Sequence, residues 1–442
     1  MHTVSRVCCL ADPRLTAVHN VLAVLDGRSL DSALADAPAS ADDRDRALAA
    51  ELSFGICRWY RRLDNLVSSL LRKPFKKRDR DLHVLLMLGA YQLLYSRIPA
   101  HAALSTTVDT SRRLGKSWAS KLVNGVLRRL QREHESLAAK IDKTAAVRYA
   151  QPDWLYRAID SAWPGHSEDI LAALQARPPM VLRVDLTQVS RSDYAARLAE
   201  AGITAKPHAT VDTALVLDAP VGVHKLPGFD EGLVSIQDAG AQLAGDYLDI
   251  RPGQRVLDTC AAPGGKTLDI LQRASDLQLT AVDIDAGRLQ RVAENLERAG
   301  CEAELATGDA AHPQGTAWGG RLYDRILIDA PCSATGVMRR HPDIRLLRRA
   351  GDIDGLVRRQ AAILDACWPL LAPGGRLLYV TCSLLKAENA GQIETFLARH
   401  SDAEALELPV RPGSRSGDGV QLLPGIDDTD GFFYAALQAR AA

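Results

Sequence analysis

The chain has 442 residues, 47% of them hydrophobic and 24% charged, with 54 basic and 54 acidic side chains. That is the composition of a soluble globular protein long enough for two or three domains. The longest apolar stretch, Leu82 to Tyr95, contains His83 and Gln92 and is shorter than the ~18 residues a membrane span requires.

The N-terminus carries charges and no continuous apolar run, so no signal peptide is expected. Eight cysteines are scattered, with no C-x-x-C pair and no metal-ligand spacing. This suits a reducing cytoplasm and argues against a disulfide framework and a zinc site. Charge is uneven along the chain. Residues 1–140 hold 23 Lys/Arg against 14 Asp/Glu, and the remainder holds 31 against 40. The front is therefore the better contact for a polyanion, although a solvated helical surface has the same balance.

Residues 1–140 read as helical. Val18, Val21, Leu22 and Leu25 recur at helix spacing, as do Leu82, Leu85, Leu86 and Leu93, with Leu88, Tyr91 and Leu94 widening the face. Arg72-Lys73-Pro74-Phe75-Lys76-Lys77-Arg78 is a basic break between helices. A second basic stretch, Arg112 to Arg132, has Val123, Val126, Leu127 and Leu130 as its apolar side. Within it, Leu122-Val123-Asn124-Gly125-Val126-Leu127-Arg128 resembles the signature of NusB-type RNA-binding helical domains.

From Pro152 to Asp238 the pattern changes to a small α/β subdomain. Strands are expected at Met180–Val184, Ala214–Leu217 and Leu233–Ile236, with a helix at Ser192–Ala201. From Ala239 the chain alternates strand and helix, the mark of a parallel sheet with covering helices. Expected strands are Arg255–Asp258, Leu279–Val282, one ending at Leu305, Ile326–Ile328, Leu377–Val380 and a final one at Phe432–Leu437. Expected helices are Ala286–Ala299 and Ile353–Leu371, and Pro373-Gly374-Gly375 makes the turn into the fifth strand.

The first strand leads into Cys260-Ala261-Ala262-Pro263-Gly264-Gly265-Lys266-Thr267. Such a loop offers free backbone amides to an anionic or polar ligand. A P-loop needs glycine where Cys260 stands, and a dinucleotide-binding G-x-G-x-x-G is absent. The remaining reading is a loop for S-adenosylmethionine, and the acids that follow favour it. Asp283 closes the second strand, where a carboxylate can accept from both ribose hydroxyls. Asp309 follows the third strand, facing the adenine edge, and Asp329 follows the fourth, at the reacting end. Asp285 reads as the N-cap of the next helix.

Two strands end in thiols, at Asp329-Ala330-Pro331-Cys332-Ser333 and Thr381-Cys382-Ser383. Ligands of an open parallel sheet bind outside the carboxyl ends of its strands, so both sulfurs face the crevice. Carbon 5 of a pyrimidine is too weak a nucleophile to take a methyl group unaided. A thiolate adding to carbon 6 creates an enamine whose carbon 5 attacks the sulfonium methyl. A second thiol can then help release the product.

The loop Cys260–Lys266, the run Asp329–Gly336 and Thr381-Cys382-Ser383 resemble the signature motifs of RNA cytosine-C5 methyltransferases. Arg339-Arg340-His341-Pro342-Asp343 and Asp430-Gly431-Phe432-Phe433-Tyr434-Ala435 match as well, with no departure at the motif positions. With the NusB-like front, the whole chain resembles the bacterial Sun/RsmB proteins, which methylate 16S ribosomal RNA. The resemblance implies an α/β chain. A Rossmann-like S-adenosylmethionine-dependent methyltransferase domain at 239–442 follows an all-α NusB-like domain at 1–142 and a small α/β subdomain at 143–238.

It implies that Cys382 is the nucleophile, that Cys332 assists release, and that Asp329 and Lys266 complete the catalytic group. DNA cytosine-C5 methyltransferases use the Pro-Cys thiol instead, which would point to Cys332. The cofactor would be held by Cys260, Ala261, Ala262, Pro263, Gly264, Gly265, Lys266, Asp283, Asp309 and Asp329. The expected partner is RNA, 16S rRNA free or in an early assembly state, with no membrane, no metal and a monomeric chain. A tRNA substrate, or a non-catalytic assembly or antitermination factor, is the alternative. Arg339, Arg340, Arg345, Arg348 and Arg349 are candidate phosphate contacts. Cys8, Cys9, Cys57, Cys301 and Cys367 are expected to be inert and buried.

Overall fold

The computed structural model describes residues 12–36, 42–410 and 412–440. Cys8 and Cys9 lie outside them. The chain forms two units, one up to Ser161 together with Met338–Arg349, the other Ala162–Val337 with Ala350–Ala442.

The first unit is helical: α1 Pro13–Leu25, α2 Leu30–Ala35, α3 Asp43–Leu70, α4 Arg80–Tyr95, α5 Ala100–Arg113, α6 Ser120–Ile141, α7 Ala145–Arg148 and α8 Asp153–Ala162. Local chemistry starts these helices. Asp12 accepts from the Arg14 N–H ahead of Pro13, and Asp42 accepts from the Asp45 N–H at the head of α3. The apolar spacings converge in one core, with Val18, Val21, Leu82, Leu85, Leu127 and Leu130 fully buried. The basic break Arg72–Arg78 is exposed but for half-buried Phe75.

In the second unit, α9 Ser167–Gln175 precedes β1 Met180–Val184, α10 Arg191–Glu200, β2 Ala205–Pro207, β3 Ala214–Leu217 and β4 Val234–Ile236. These strands make an antiparallel sheet in the order β2-β3-β1-β4. The chain continues through α11 Ala239–Leu248, β5 Arg255–Thr259, α12 Gly265–Leu271, β6 Gln278–Asp283, α13 Ala286–Arg298, β7 Glu304–Thr307 and β8 Tyr323–Asp329. After α14 Ile344–Leu347, which belongs to the helical unit, come α15 Asp352–Cys367, β9 Leu371–Thr381, α16 Ala390–Arg399, β10 Ala403–Leu406, β11 Ser414–Ser416, β12 Gly419–Gln421 and β13 Phe433–Ala439.

The large sheet runs β11-β12-β13-β9-β8-β5-β6-β7, with β10 on β13. Strands β5 to β9 pair in parallel, and β13 closes antiparallel on β9. One face packs on α11 and α12 through Ala244, Leu248 and Ile270. The other packs on α15 and α16 through Ile363, Leu364, Ile393 and Phe396. Each fully buried side chain of this size contributes about 1.5–3 kcal/mol. Strand order reverses between β5 and β8, so the ligand crevice opens outside their carboxyl ends.

Some boundaries differ from the sequence expectation. The third strand runs on to Thr307. Helix α15 stops at Cys367, because Pro369 in the following turn cannot continue it. Pro373-Gly374-Gly375 is a bulge inside β9 rather than a turn before it. Tyr323 pairs with Leu371 and Arg325 with Arg376, and Gly374 takes φ 73°. No described helix is long and apolar enough to cross a membrane.

Candidate active site

The loop after β5 is held in shape from beneath. Buried Asp258 accepts a 2.6 Å hydrogen bond from the Thr267 hydroxyl on α12. Burial pushes its carboxyl up to about 7. Gly264 takes φ 98°, a conformation glycine adopts without strain. A side chain there would also crowd Val292 at 3.1 Å. Beside it, a Cβ on Gly265 would meet nothing nearer than Gln237 at 3.7 Å, so the backbone face of the loop is open to a ligand.

The structure brings Asp283, Asp309 and Asp329 to the carboxyl ends of β6, β7 and β8, as expected. Asp283 is buried and tied to the loop. Its oxygens accept from the Ala262 N–H at 3.1 Å and the Asp285 N–H at 3.0 Å. Each oxygen keeps a second lone pair for a hydroxyl. Asp285 caps α13 through the N–H groups of Gly287 and Arg288, the role its position suggested. Asp309 is more committed than its position implied. It takes both guanidinium nitrogens of Arg359, at 2.6 and 3.1 Å, and the Ala311 N–H. Burial opposes its charge, but the Ala311 N–H, His312 and Arg359 outweigh it and hold the carboxyl below its usual range.

Lys266 reaches across the switch point. Its ammonium lies 2.7 Å from Asp329 and 5.5 Å over the Phe432 ring. Burial works against that charge, and Asp329 more than restores it, so the ammonium titrates above its ordinary value. Loop amides that donate and strand-end carboxylates that accept suit the carboxylate, hydroxyls and amino groups of S-adenosylmethionine.

The two strand-end sulfurs meet. Cys332 and Cys382 lie 3.5 Å apart, sulfur to sulfur, Cys332 buried and Cys382 half-buried. The hydrogen bond to Cys382, burial and the nearby charge of Glu388 all raise the Cys332 thiol well above its usual value. The surrounding loops are tightly fitted. Gly336 and Gly431 approach so closely that a Cβ on Gly336 would lie 2.1 Å from the Gly431 carbonyl. The Gly431 N–H donates to the Gly336 carbonyl at 3.0 Å. This contact joins the Asp430–Ala435 motif to the Cys332 loop. Burial raises the thiols of Cys57 and Cys367, in keeping with inert core residues, whereas Cys301 is only half-buried.

The arginines after Cys332 correct the sequence expectation. Arg339 and Arg345 are buried in the helical unit and are not surface phosphate contacts. Arg58 donates to the Arg339 carbonyl at 2.8 Å, and Arg345 donates to the Arg58 carbonyl at 2.7 Å. Burial and the charge of Arg58 push Arg345 down to about 9. Asp343 accepts from the Leu30 N–H at 2.9 Å, while Leu346 and Leu347 join the helical core. Arg340 and Arg348 are half-buried, and Arg349 is exposed.

Sequence reasoning missed Glu388, Gln360, Ser333 and Ser383, which form a buried polar cluster directly behind the thiols. Their only sequence signal is the serine after each cysteine. Among the described residues no three His, Cys, Asp or Glu side chains gather as a metal-ligand group.

Comparison with known proteins places this geometry. The family described as 16S rRNA methyltransferase RsmB/F matches residues 246–438. The NusB family matches 11–132, and the RsmF/B-like ferredoxin-like domain matches 151–224. Ribosomal RNA small subunit methyltransferase B of Pseudomonas putida is 49% identical over 433 residues, covering 98% of this chain and 99% of the relative. The protein of that name from Shigella boydii is 47% identical over 94% of this chain and 95% of its own. A methyltransferase homolog protein from Pyrococcus horikoshii superposes with TM-score 0.59 at 27% identity, over 68% of this chain and 99% of its own. The crystal structure of PH0851 shares the fold over 98% of this chain and 99% of its own, with TM-score 0.79 at 22% identity. The chain belongs to the ribosomal RNA small subunit methyltransferase B family, S-adenosylmethionine-dependent enzymes that methylate ribosomal RNA.

Proposed function

We propose that this chain methylates carbon 5 of a cytosine in 16S rRNA, with Cys382 as nucleophile and Cys332 assisting release. The observation that supports it is the 3.5 Å sulfur pair at the ends of adjacent strands, where two thiols can share the work of attack and release. S-adenosylmethionine supplies an electrophilic methyl group when bound. The loop Cys260–Lys266 and Asp283 would hold it, with Asp309 beside the adenine and Asp329 near the methyl.

The Cys382 thiolate adds to carbon 6 of a cytosine turned out of its stack, and carbon 5 becomes nucleophilic. After carbon 5 is methylated its proton leaves to a base. The electrons of that C–H bond restore the ring double bond, and the carbon–sulfur bond breaks. Cys332 donates a hydrogen bond to the departing sulfur. Asp329, held by Lys266, would lie at the reacting end of the crevice.

We further read residues 1–142 as the RNA-capturing part, 143–238 as a connecting subdomain and 239–442 as catalytic. Each matched stretch falls inside one of these spans, which supports the division. The reading includes a monomeric, cytoplasmic enzyme without metal. Bisulfite sequencing of total RNA from cells with and without the gene tests the substrate. A single 16S cytosine should lose its protection in the deletion strain. Loss at a tRNA position instead, or no loss anywhere, would overturn the assignment.

A further inference from the structure

The sulfur pair needs an explanation, because the two cysteines sit on separate loops 50 residues apart in sequence. Backbone contacts bring the loops together, and one side chain bonds to both. Glu388 is fully buried. One of its carboxylate oxygens accepts from the Ser333 hydroxyl and the Ser383 hydroxyl, each at 2.5 Å. The other accepts from the Ser333 N–H at 2.8 Å and the Gln360 amide at 3.1 Å. Ser333 follows Cys332 and Ser383 follows Cys382. Gln360 also donates to the Pro331 carbonyl at 3.0 Å, just before Cys332. The main chain of Glu388 is anchored as well, since the Tyr379 hydroxyl donates to its backbone carbonyl at 2.8 Å.

We propose that Glu388 is a positioning residue that sets the distance between the two thiols, by gripping the serine next to each. Four hydrogen bonds to one buried carboxylate form a stiff link, because charge-assisted bonds are short and strong where water is excluded. Beside the hydrogen bond to Cys382 and burial, the Glu388 charge adds to the rise of the Cys332 thiol, so the group that fixes the geometry also opposes ionisation there. The bonds from Glu388 go to Ser333, Ser383 and Gln360, so its hold on the geometry passes through the loops. The proposal rests on Cys382 as nucleophile and Cys332 as the releasing thiol.

The test uses the full-length chain with 16S rRNA transcript and S-adenosylmethionine. Glu388→Gln keeps the side-chain shape but cannot accept on both arms. It should bind S-adenosylmethionine as the parent does. Its kcat should fall about 10–100-fold with KM for RNA unchanged, and RNA-linked protein should persist on denaturing gels. If Glu388 acts through Cys332, adding Glu388→Gln to Cys332→Ala should slow adduct decay no further, whereas a merely structural effect would add. Adduct resolution at the parent rate would overturn the proposal, as would loss of cofactor binding alongside activity. If Glu388→Gln does not fold, Ser383→Ala decides on the same readouts. Slowed adduct decay would support the link, and parent-like decay would reject it. An adduct in Cys382→Ala would instead reject the thiol assignment on which the proposal stands.

Discussion

Residues 329–337 and 338–349 are consecutive, and both carry motif residues, yet they do different work. The first run ends β8, places Asp329 against Lys266 and carries Cys332 to within 3.5 Å of Cys382. The second joins the helical unit, where Arg339, Asp343 and Arg345 are buried and exchange hydrogen bonds with Arg58 and Leu30. The difference teaches that a motif can serve chemistry at one end and assembly of the fold at the other. A cluster of arginines beside a strand-end cysteine is not by that fact an RNA contact. A guanidinium can instead satisfy buried backbone carbonyls, which would otherwise cost free energy.

The contrast is sharpest in activity. Cys382→Ala should lose turnover by roughly three orders of magnitude or more and form no RNA adduct, with its melting temperature little changed. Cys332→Ala should accumulate RNA-linked protein visible on denaturing gels. An adduct seen only in the Cys382 variant would give the roles to the opposite thiols. Near-normal turnover in both would remove the thiols from the mechanism.

Beyond Val337 the expected loss is in stability. Asp343→Ala leaves the Leu30 N–H without its buried acceptor and should cost about 1–3 kcal/mol in denaturant unfolding, with cofactor affinity unchanged. A variant of full stability with lost turnover would put this segment into the site and break the comparison.

Cations on the surface should behave differently from those inside. Lys76 and Lys77 are exposed, so Lys76→Gln with Lys77→Gln should flatten the salt dependence of RNA binding by about 1.4–1.8 in log–log slope. Arg345→Met should leave that slope alone. An unchanged slope in the lysine pair would make the basic break a solvated surface.

The smallest effect concerns pH. His341 lies 3.3 Å from Asp31, and the hydrogen bond to that carboxylate raises it above its ordinary value of 6.5. Its contribution is fully present below the unfolded value and fades as pH rises through the higher folded value. Melting temperature should therefore fall over that window in the parent and less so in His341→Gln. Parallel curves would show that the pair contributes nothing.

Much of the fold was legible from local pattern. Helix spacing marked α1, α4 and α6, and the alternation after Ala239 marked the parallel strands. Those signals come from contacts within a few residues or from one buried face. Bulges and helix ends were less legible. The Pro373-Gly374-Gly375 bulge depends on β8 beside it, and no local signal distinguishes it from a turn. In the site, the strand-end acids and both thiols stood out, because an open sheet puts its functional groups at strand ends. Glu388 did not, since a glutamate six residues past a cysteine looks like any loop carboxylate until Ser333 is brought to it.

The sequence by itself determined the chemistry available to this protein: two thiols, a glycine-bearing loop and acids after successive strands, each set by residue type and by the element it ends. Only the tertiary structure decided which of the charged residues are spent inside the protein. The sequence offered Arg345 as a phosphate contact and gave Glu388 no role. One is buried against a helix backbone and the other against two cysteine loops, because burial depends on which distant segments arrive to satisfy a group. That pairing is a property of the packed chain and is not set by spacing or composition.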